Sequence, residues 1–167
     1  MSKKVMIRDV AIGDGNPIAI QSMSNADSRD EKKITEQIRA LEEAGCDIIR
    51  LAVPDRESLD VFRNIRAKTD IPLVADIHFD YRLAVGSIEA GADKIRINPG
   101  NIGTLENVKK VVDAARLRNI PIRVGVNSGS LEKDILIKNR GVTAEGLAES
   151  ALRNVKVIEG FDYDNIV

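Results

Sequence analysis

Three arginines in this chain occupy short runs that could position them for chemistry. Arg50 lies in residues 47–53 (D-I-I-R-L-A-V), Arg96 in 94–103 (K-I-R-I-N-P-G-N-I-G) and Arg123 in 122–127 (I-R-V-G-V-N). Each run alternates apolar and polar residues, the period of a β-strand, so side chains of opposite character fall on opposite faces. Ile49, Leu51 and Val53 oppose Arg50, and Ile95 and Ile97 oppose Arg96 and Asn98. Val124 and Val126 oppose Arg123, Gly125 and Asn127. A fourth run, 73–78 (L-V-A-D-I-H), sets Ala75 and Ile77 against Asp76 and His78. A guanidinium is a rigid fork of donors that matches phosphate oxygens. Three of them converging, with Asn98 and Asn127 beside them, suit a diphosphate. An internal ion-pair network with Asp76 is the competing use of the same charges, since unpaired charges in a core cost too much to keep. Asp76 and His78, two residues apart at a strand's carboxyl end, are candidates for proton transfer.

The elements that must carry these residues recur as strand and helix. Residues 5–17 read as a hairpin with Asp14-Gly15 in its tight turn, and 18–23 (I-A-I-Q-S-M) read as a first core strand. Ser28 and Glu31 form a capping-box pattern opening a helix to about Ala44, with Gly45 closing it. Asp55 caps a helix carrying Leu59, Phe62 and Ile65. A helix over about 80–90 ends at Gly91, Thr104 caps one carrying Val108, Val111, Val112 and Ala115, and Thr143 caps one carrying Leu147, Leu152, Val155 and Ile158. Residues 128–134 read as a polar loop, and Asn165-Ile166-Val167 as a strand beginning. Strands recur at roughly 22–27 residues, the period of βα units in a parallel sheet. The first strand is followed by no glycine fingerprint, which argues against a doubly wound nucleotide-binding sheet. Polar residues at the carboxyl end of strand after strand fit a (β/α)8 TIM barrel. Such a barrel needs roughly 250 residues. The expectation is therefore an α/β chain forming an incomplete barrel: about five βα units and the start of a sixth strand over 18–167, preceded by the hairpin at 1–17. Unpaired sheet edges predict self-association or marginal stability.

Lysine and arginine total 25 against 26 acidic residues, so no global basic field exists to hold nucleic acid. Aromatics are 3% and tryptophan is absent, too few for base stacking. No apolar run approaches the length of a membrane span and no secretory signal is visible, which places the expectation in the cytoplasm. Cys46 is the one cysteine and His78 the one histidine, so neither a disulfide nor a multi-histidine metal site can form within the chain. Cys46 reads as a buried packing residue. Lys32, Lys33, Arg39, Lys109, Lys110, Arg116 and Arg118 read as solvated helix faces.

Several long motifs make the chain familiar. V-A-D-I-H-F-D-Y-R-L-A (74–84), R-I-N-P-G-N-I-G (96–103) and I-R-V-G-V-N-S-G-S-L-E-K-D (122–134) closely resemble the 4-hydroxy-3-methylbut-2-enyl diphosphate synthase family. I-A-I-Q-S-M (18–23) and A-G-C-D-I-I-R-L-A-V-P (44–54) are similar to it as well. The resemblance implies a TIM barrel followed by a smaller domain that holds a 4Fe–4S cluster. It implies a cytoplasmic, dimeric iron–sulfur oxidoreductase of the non-mevalonate route. That enzyme reductively opens 2-C-methyl-D-erythritol 2,4-cyclodiphosphate, with ferredoxin or flavodoxin as electron donor. Arg50, Arg96, Asn98, Arg123 and Asn127 match the family's diphosphate-holding residues, and Asp76 and His78 match a pocket motif of less definite role. The last barrel strands and the cluster cysteines are missing from 1–167, so the expectation for this stretch alone is substrate binding without catalysis. Two other readings stay open: another phosphate-handling barrel such as a pterin-binding synthase, and a non-catalytic anion-binding half-barrel.

Overall fold

The computed structural model describes residues 2–167. Two short antiparallel strands open the chain, β1 (Val5–Ile7) and β2 (Val10–Ile12). The hairpin turn lies at Arg8-Asp9, with Arg8 at φ 55°, and not at Asp14-Gly15. A two-residue connection keeps Val5, Ile7, Val10 and Ile12 on one face, which buries Val5 and Ile7. Gly13, Asp14 and Gly15, all at positive φ, form the turn that leads out of the hairpin instead.

Five parallel strands follow in sheet order β3 (Gln21–Met23), β4 (Ile48–Ala52), β5 (Leu73–Asp76), β6 (Lys94–Ile97) and β7 (Ile122–Val124). Neighbours in the sheet are neighbours in sequence, joined by helices on the outside. These are α1 (Glu31–Glu43), α2 (Arg56–Arg66), α3 (Tyr81–Glu89) and α4 (Leu105–Arg118). After β7 come α5 (Lys133–Lys138) and α6 (Ala144–Glu159). Ile166 then bridges Ile122 in parallel, the first contact of a sixth strand. The result is the arc of an incomplete barrel.

The outer faces of the strands and the inner faces of the helices form one apolar core. Ile49, Leu51, Val53, Leu73, Ala75, Ile77, Ile95 and Ile97 meet Ile34, Ile38, Phe62, Ile65, Ile88, Val108, Val111 and Val112 there. A smaller cluster of Ile7, Ile48 and Val74 lies on the inner face, where the hairpin packs against the sheet. Asp47 and Asp93, the aspartates of the repeated A-G-x-D motif, do the same job twice. Each carboxylate accepts a backbone N–H from the neighbouring strand segment, Ile20 at 2.7 Å and Leu73 at 2.8 Å. Each is preceded by a left-handed glycine that ends a helix, Gly45 (φ 87°) and Gly91 (φ 95°), where a side chain would be strained.

Four local expectations need correction. Ile18 and Ile20 are 94% and 60% exposed, so the first strand is not a core strand; β3 is an edge strand with one neighbour. The cap of α1 is Asp30, whose carboxylate accepts from Lys33 N at 3.0 Å, and not Ser28. Residues 27–30 are used up by a turn in which Asp30 N donates to Asp27 O, so the helix starts later. The polar loop at 128–134 contains a short 3-10 turn (Ser128–Ser130) and the start of α5, which buries Ile135. In α6 Leu152 is exposed; the buried positions are Gly146, Ser150, Asn154 and Ile158, a largely polar stripe at i, i+4 spacing. Cys46 is half-buried, its thiol 3.2 Å from the carbonyl of Ile48.

Candidate functional site

The strand register decides what meets on the inner face. Met23, Arg50, Val74 and Lys94 stand abreast in one row. The next row toward the carboxyl end holds Ala52, Asp76, Arg96 and Arg123. Four cationic side chains, Arg50, Lys94, Arg96 and Arg123, therefore share this face with one carboxylate, Asp76.

Asp76 is the hub. Its carboxylate lies 3.3 Å from Arg96 Nη1, 3.6 Å from Arg50 Nε and 3.9 Å from His78 Nε2, and its side chain is nearly inaccessible. Two of the three arginines thus join Asp76 in an internal ion-pair network, the competing use of these charges. Both arginines have further anchors. Arg50 donates from Nε and Nη2 to Met23 Sδ at 3.2 and 3.0 Å. Arg96 donates from Nη2 to the Gly125 carbonyl at 3.2 Å. The two guanidiniums are thus held in place by neighbouring groups of the chain itself.

Arg123 has no hydrogen-bond or ion-pair partner among the described residues. Burial pulls its pKa below the usual arginine value, the neighbouring Arg50 and Arg96 pull it down further, and Asp76 offsets this only in part. Lys94 is 3% exposed and donates to Gln21 Oε1 at 3.2 Å. Burial, followed by the fields of Arg123 and Arg50, lowers its pKa to about 8. Both side chains line a cavity of about 410 Å³ at the amino end of the sheet, walled by Ile12, Asn16, Ile18 and Ile48. A face with this excess of positive charge carries a positive potential that favours anions.

Of the other residues singled out in the sequence, His78 sits half-exposed at the rim. Asn98 is 3% exposed and fully engaged: its Oδ1 accepts from Gly100 N at 3.0 Å and its Nδ2 donates to Ser130 Oγ at 2.9 Å. It ties two rim loops together. Asn127 stands exposed, with its backbone N–H donating to Ser130 Oγ at 3.2 Å. Lys94 was legible in the same alternation as Arg96, two residues earlier on the same face, and sequence reasoning passed over it. Asn154 had no sequence signal. It reaches from α6 to accept a second bond from Gly100 N at 3.0 Å, while Glu132 receives Ser150 Oγ and Asn154 Nδ2.

Comparisons with known proteins give the family and the fold. The family described as the GcpE TIM-barrel domain matches residues 2–167. The 4-hydroxy-3-methylbut-2-en-1-yl diphosphate synthase (flavodoxin) of Caldanaerobacter subterraneus is 57% identical over 167 residues, covering 100% of this chain and 47% of that protein. The enzyme of the same name from Caldicellulosiruptor saccharolyticus is 58% identical over 100% of this chain and 48% of its own length. The chain thus spans about half the length of the curated relatives it matches. Among solved structures, Xanthomonas albilineans dihydropteroate synthase superposes with a TM-score of 0.67 at 14% identity, covering 99% of this chain and 64% of that one. At that identity the likeness is one of fold alone.

Proposed function

The chain belongs to the GcpE TIM-barrel domain family, and from that premise we propose that it is the diphosphate-binding barrel portion of an isoprenoid-pathway oxidoreductase. The reaction is the reductive conversion of 2-C-methyl-D-erythritol 2,4-cyclodiphosphate to 4-hydroxy-3-methylbut-2-enyl diphosphate. The observation that carries this reading is the inner face itself, where four cations share one face with a single carboxylate that pairs with two of them, and Arg123 has no partner among the described residues. In this reading the forks of Arg50, Arg96 and Arg123 take the diphosphate oxygens, and Asp76 keeps two of them aimed. Binding energy released on the remote diphosphate then orients the reacting carbons at the rim. In this reading His78, at the rim and 3.9 Å from Asp76, is the candidate to carry a proton to or from the substrate. Asn98 and Asn127 support the rim loops over the anion.

The residues present do not fit an iron–sulfur cluster. Cys46 is the one cysteine, it lies before β4 at the amino end, and no three His, Cys, Asp or Glu side chains gather to hold a metal among the described residues. The reading therefore assigns the 4Fe–4S cluster, and the electrons delivered to it by flavodoxin or ferredoxin, to a part of the full-length protein outside residues 1–167. These residues alone bind substrate without turning it over. A cytoplasmic homo-oligomer completes the reading; no helix of the described residues is long and apolar enough to cross a membrane. The dihydropteroate synthase likeness brings no function with it.

The test is Arg123→Met in the protein at its full natural length. Loss of the unpartnered cation should weaken binding of inorganic pyrophosphate and raise KM by roughly tenfold or more, as expected for a charge-assisted phosphate contact. Titration calorimetry that returns the parent affinity would remove Arg123, and with it the anion site, from the proposal.

A further inference from the structure

Gly125 lies on the inner face two residues beyond Arg123, and its N–H continues the sheet by donating to Ile97 O at 2.9 Å. Its glycine identity has no conformational reason, because it is absent from the positive-φ glycines of the chain. The reason is space. A Cβ built on Gly125 would fall 2.0 Å from Arg96 Nε and 2.6 Å from both Arg96 Cζ and Nη2. The guanidinium fills the volume that any other residue's side chain would take. It is held there by the Gly125 carbonyl at 3.2 Å on one side and by Asp76 at 3.3 Å on the other. Gly86 makes an informative contrast: its missing Cβ is filled by the end of Leu59, an apolar contact within the helical layer. Gly125 is where the backbone makes room for a charge.

We propose that Gly125 is a positioning residue of the anion site, its bare Cα fixing where the Arg96 fork points. The inference rests on the reading of this face as a diphosphate site and deepens it by one residue. A methyl group at position 125 displaces the guanidinium from both anchors. The guanidinium is the free end of a flexible side chain, so it can swing away without moving the backbone; the lost ion pair with buried Asp76 lowers stability as well, but no further than removing the guanidinium altogether.

The experiment is a double-mutant cycle on the protein at its full natural length, with inorganic pyrophosphate as probe and calorimetric affinity and melting temperature as readouts. Arg96→Ala should weaken pyrophosphate binding by roughly tenfold or more. Gly125→Ala should reproduce most of that loss, with a melting temperature lowered no further than in Arg96→Ala. Gly125→Ala combined with Arg96→Ala should bind no worse than Arg96→Ala alone, because the glycine acts only through the arginine. Additive losses would overturn the proposal, as would a Gly125→Ala protein that binds like the parent while Arg96→Ala does not. An Arg96→Ala protein with parental affinity would instead sink the anion-site reading itself.

Discussion

The outer face of the five-stranded sheet, where Leu51, Leu73, Ala75, Ile95 and Ile97 meet the helices, is dry and uncharged. The inner face of the same strands carries Arg50, Asp76, Lys94, Arg96 and Arg123. Residues one position apart along a strand therefore live under opposite rules. On the outer face, each fully buried aliphatic side chain contributes roughly 1.5–3 kcal/mol to folding. On the inner face, charges whose number exceeds their partners are a cost to folding. On the reading proposed above, stability and ligand affinity are separable by strand parity: even positions 76, 94 and 96 against odd positions 73, 75, 95 and 97.

The largest effect that could break this separation is on the outer face. Ile95 is fully buried, and Ile95→Ala should cost about 3 kcal/mol in chemical denaturation through lost transfer energy and the cavity left behind. Pyrophosphate affinity of the folded protein should be unchanged. If it drops as far as in Arg96→Ala, the faces are coupled and the contrast fails.

Lys94→Met should do the reverse and add stability. Its folded-state pKa is lowered to about 8 from 10.5, chiefly by burial. A lysine depressed in this way penalises the folded state below about pH 8, where the unfolded chain and the folded chain both hold the proton. Between about 8 and 10.5 the unfolded state binds more protons, so stability rises with pH across that window. Lys94→Met should remove that rise and gain on the order of 2–3 kcal/mol at neutral pH. Denaturation curves at several pH values, compared between parent and variant, isolate the contribution; equal slopes would show that Lys94 is not the titrating group.

The smallest effect concerns Thr104, which caps α4 beside the rim yet belongs to the helical layer. Its hydroxyl accepts from Asn107 N at 3.3 Å. Thr104→Ala should lower stability by about 1 kcal/mol and leave anion binding alone. A cap that changed affinity would show that nearness to the rim, rather than strand face, governs the response.

Much of this was legible in the chain because the signals were local. Asp55, Thr104 and Thr143 cap helices as their positions before apolar-periodic runs predict, and Gly45 and Gly91 close α1 and α3. Where competing local signals existed, the sequence misled. Ser28 and Asp30 are both good caps, and the turn at Asp27 chose between them. Asp14-Gly15 is a real turn, placed after the hairpin rather than in it. Leu152 obeys helical spacing, but the face of α6 that docks is set by Asn154 and Ser150 reaching Gly100 and Glu132. That choice depends on groups far away in the chain.

Strand alternation was decided by the sequence alone, since a pleated strand sends successive side chains to opposite sides whatever its neighbours are. Which cations would find a partner was decided only by tertiary structure. Cross-strand register lets Asp76 reach Arg50 and Arg96, leaves Arg123 without a partner among the described residues, and sets the Arg96 guanidinium over Gly125. Charge pairing falls steeply with distance, and distances between strands come from how the sheet is assembled, not from the order of residues within any one strand.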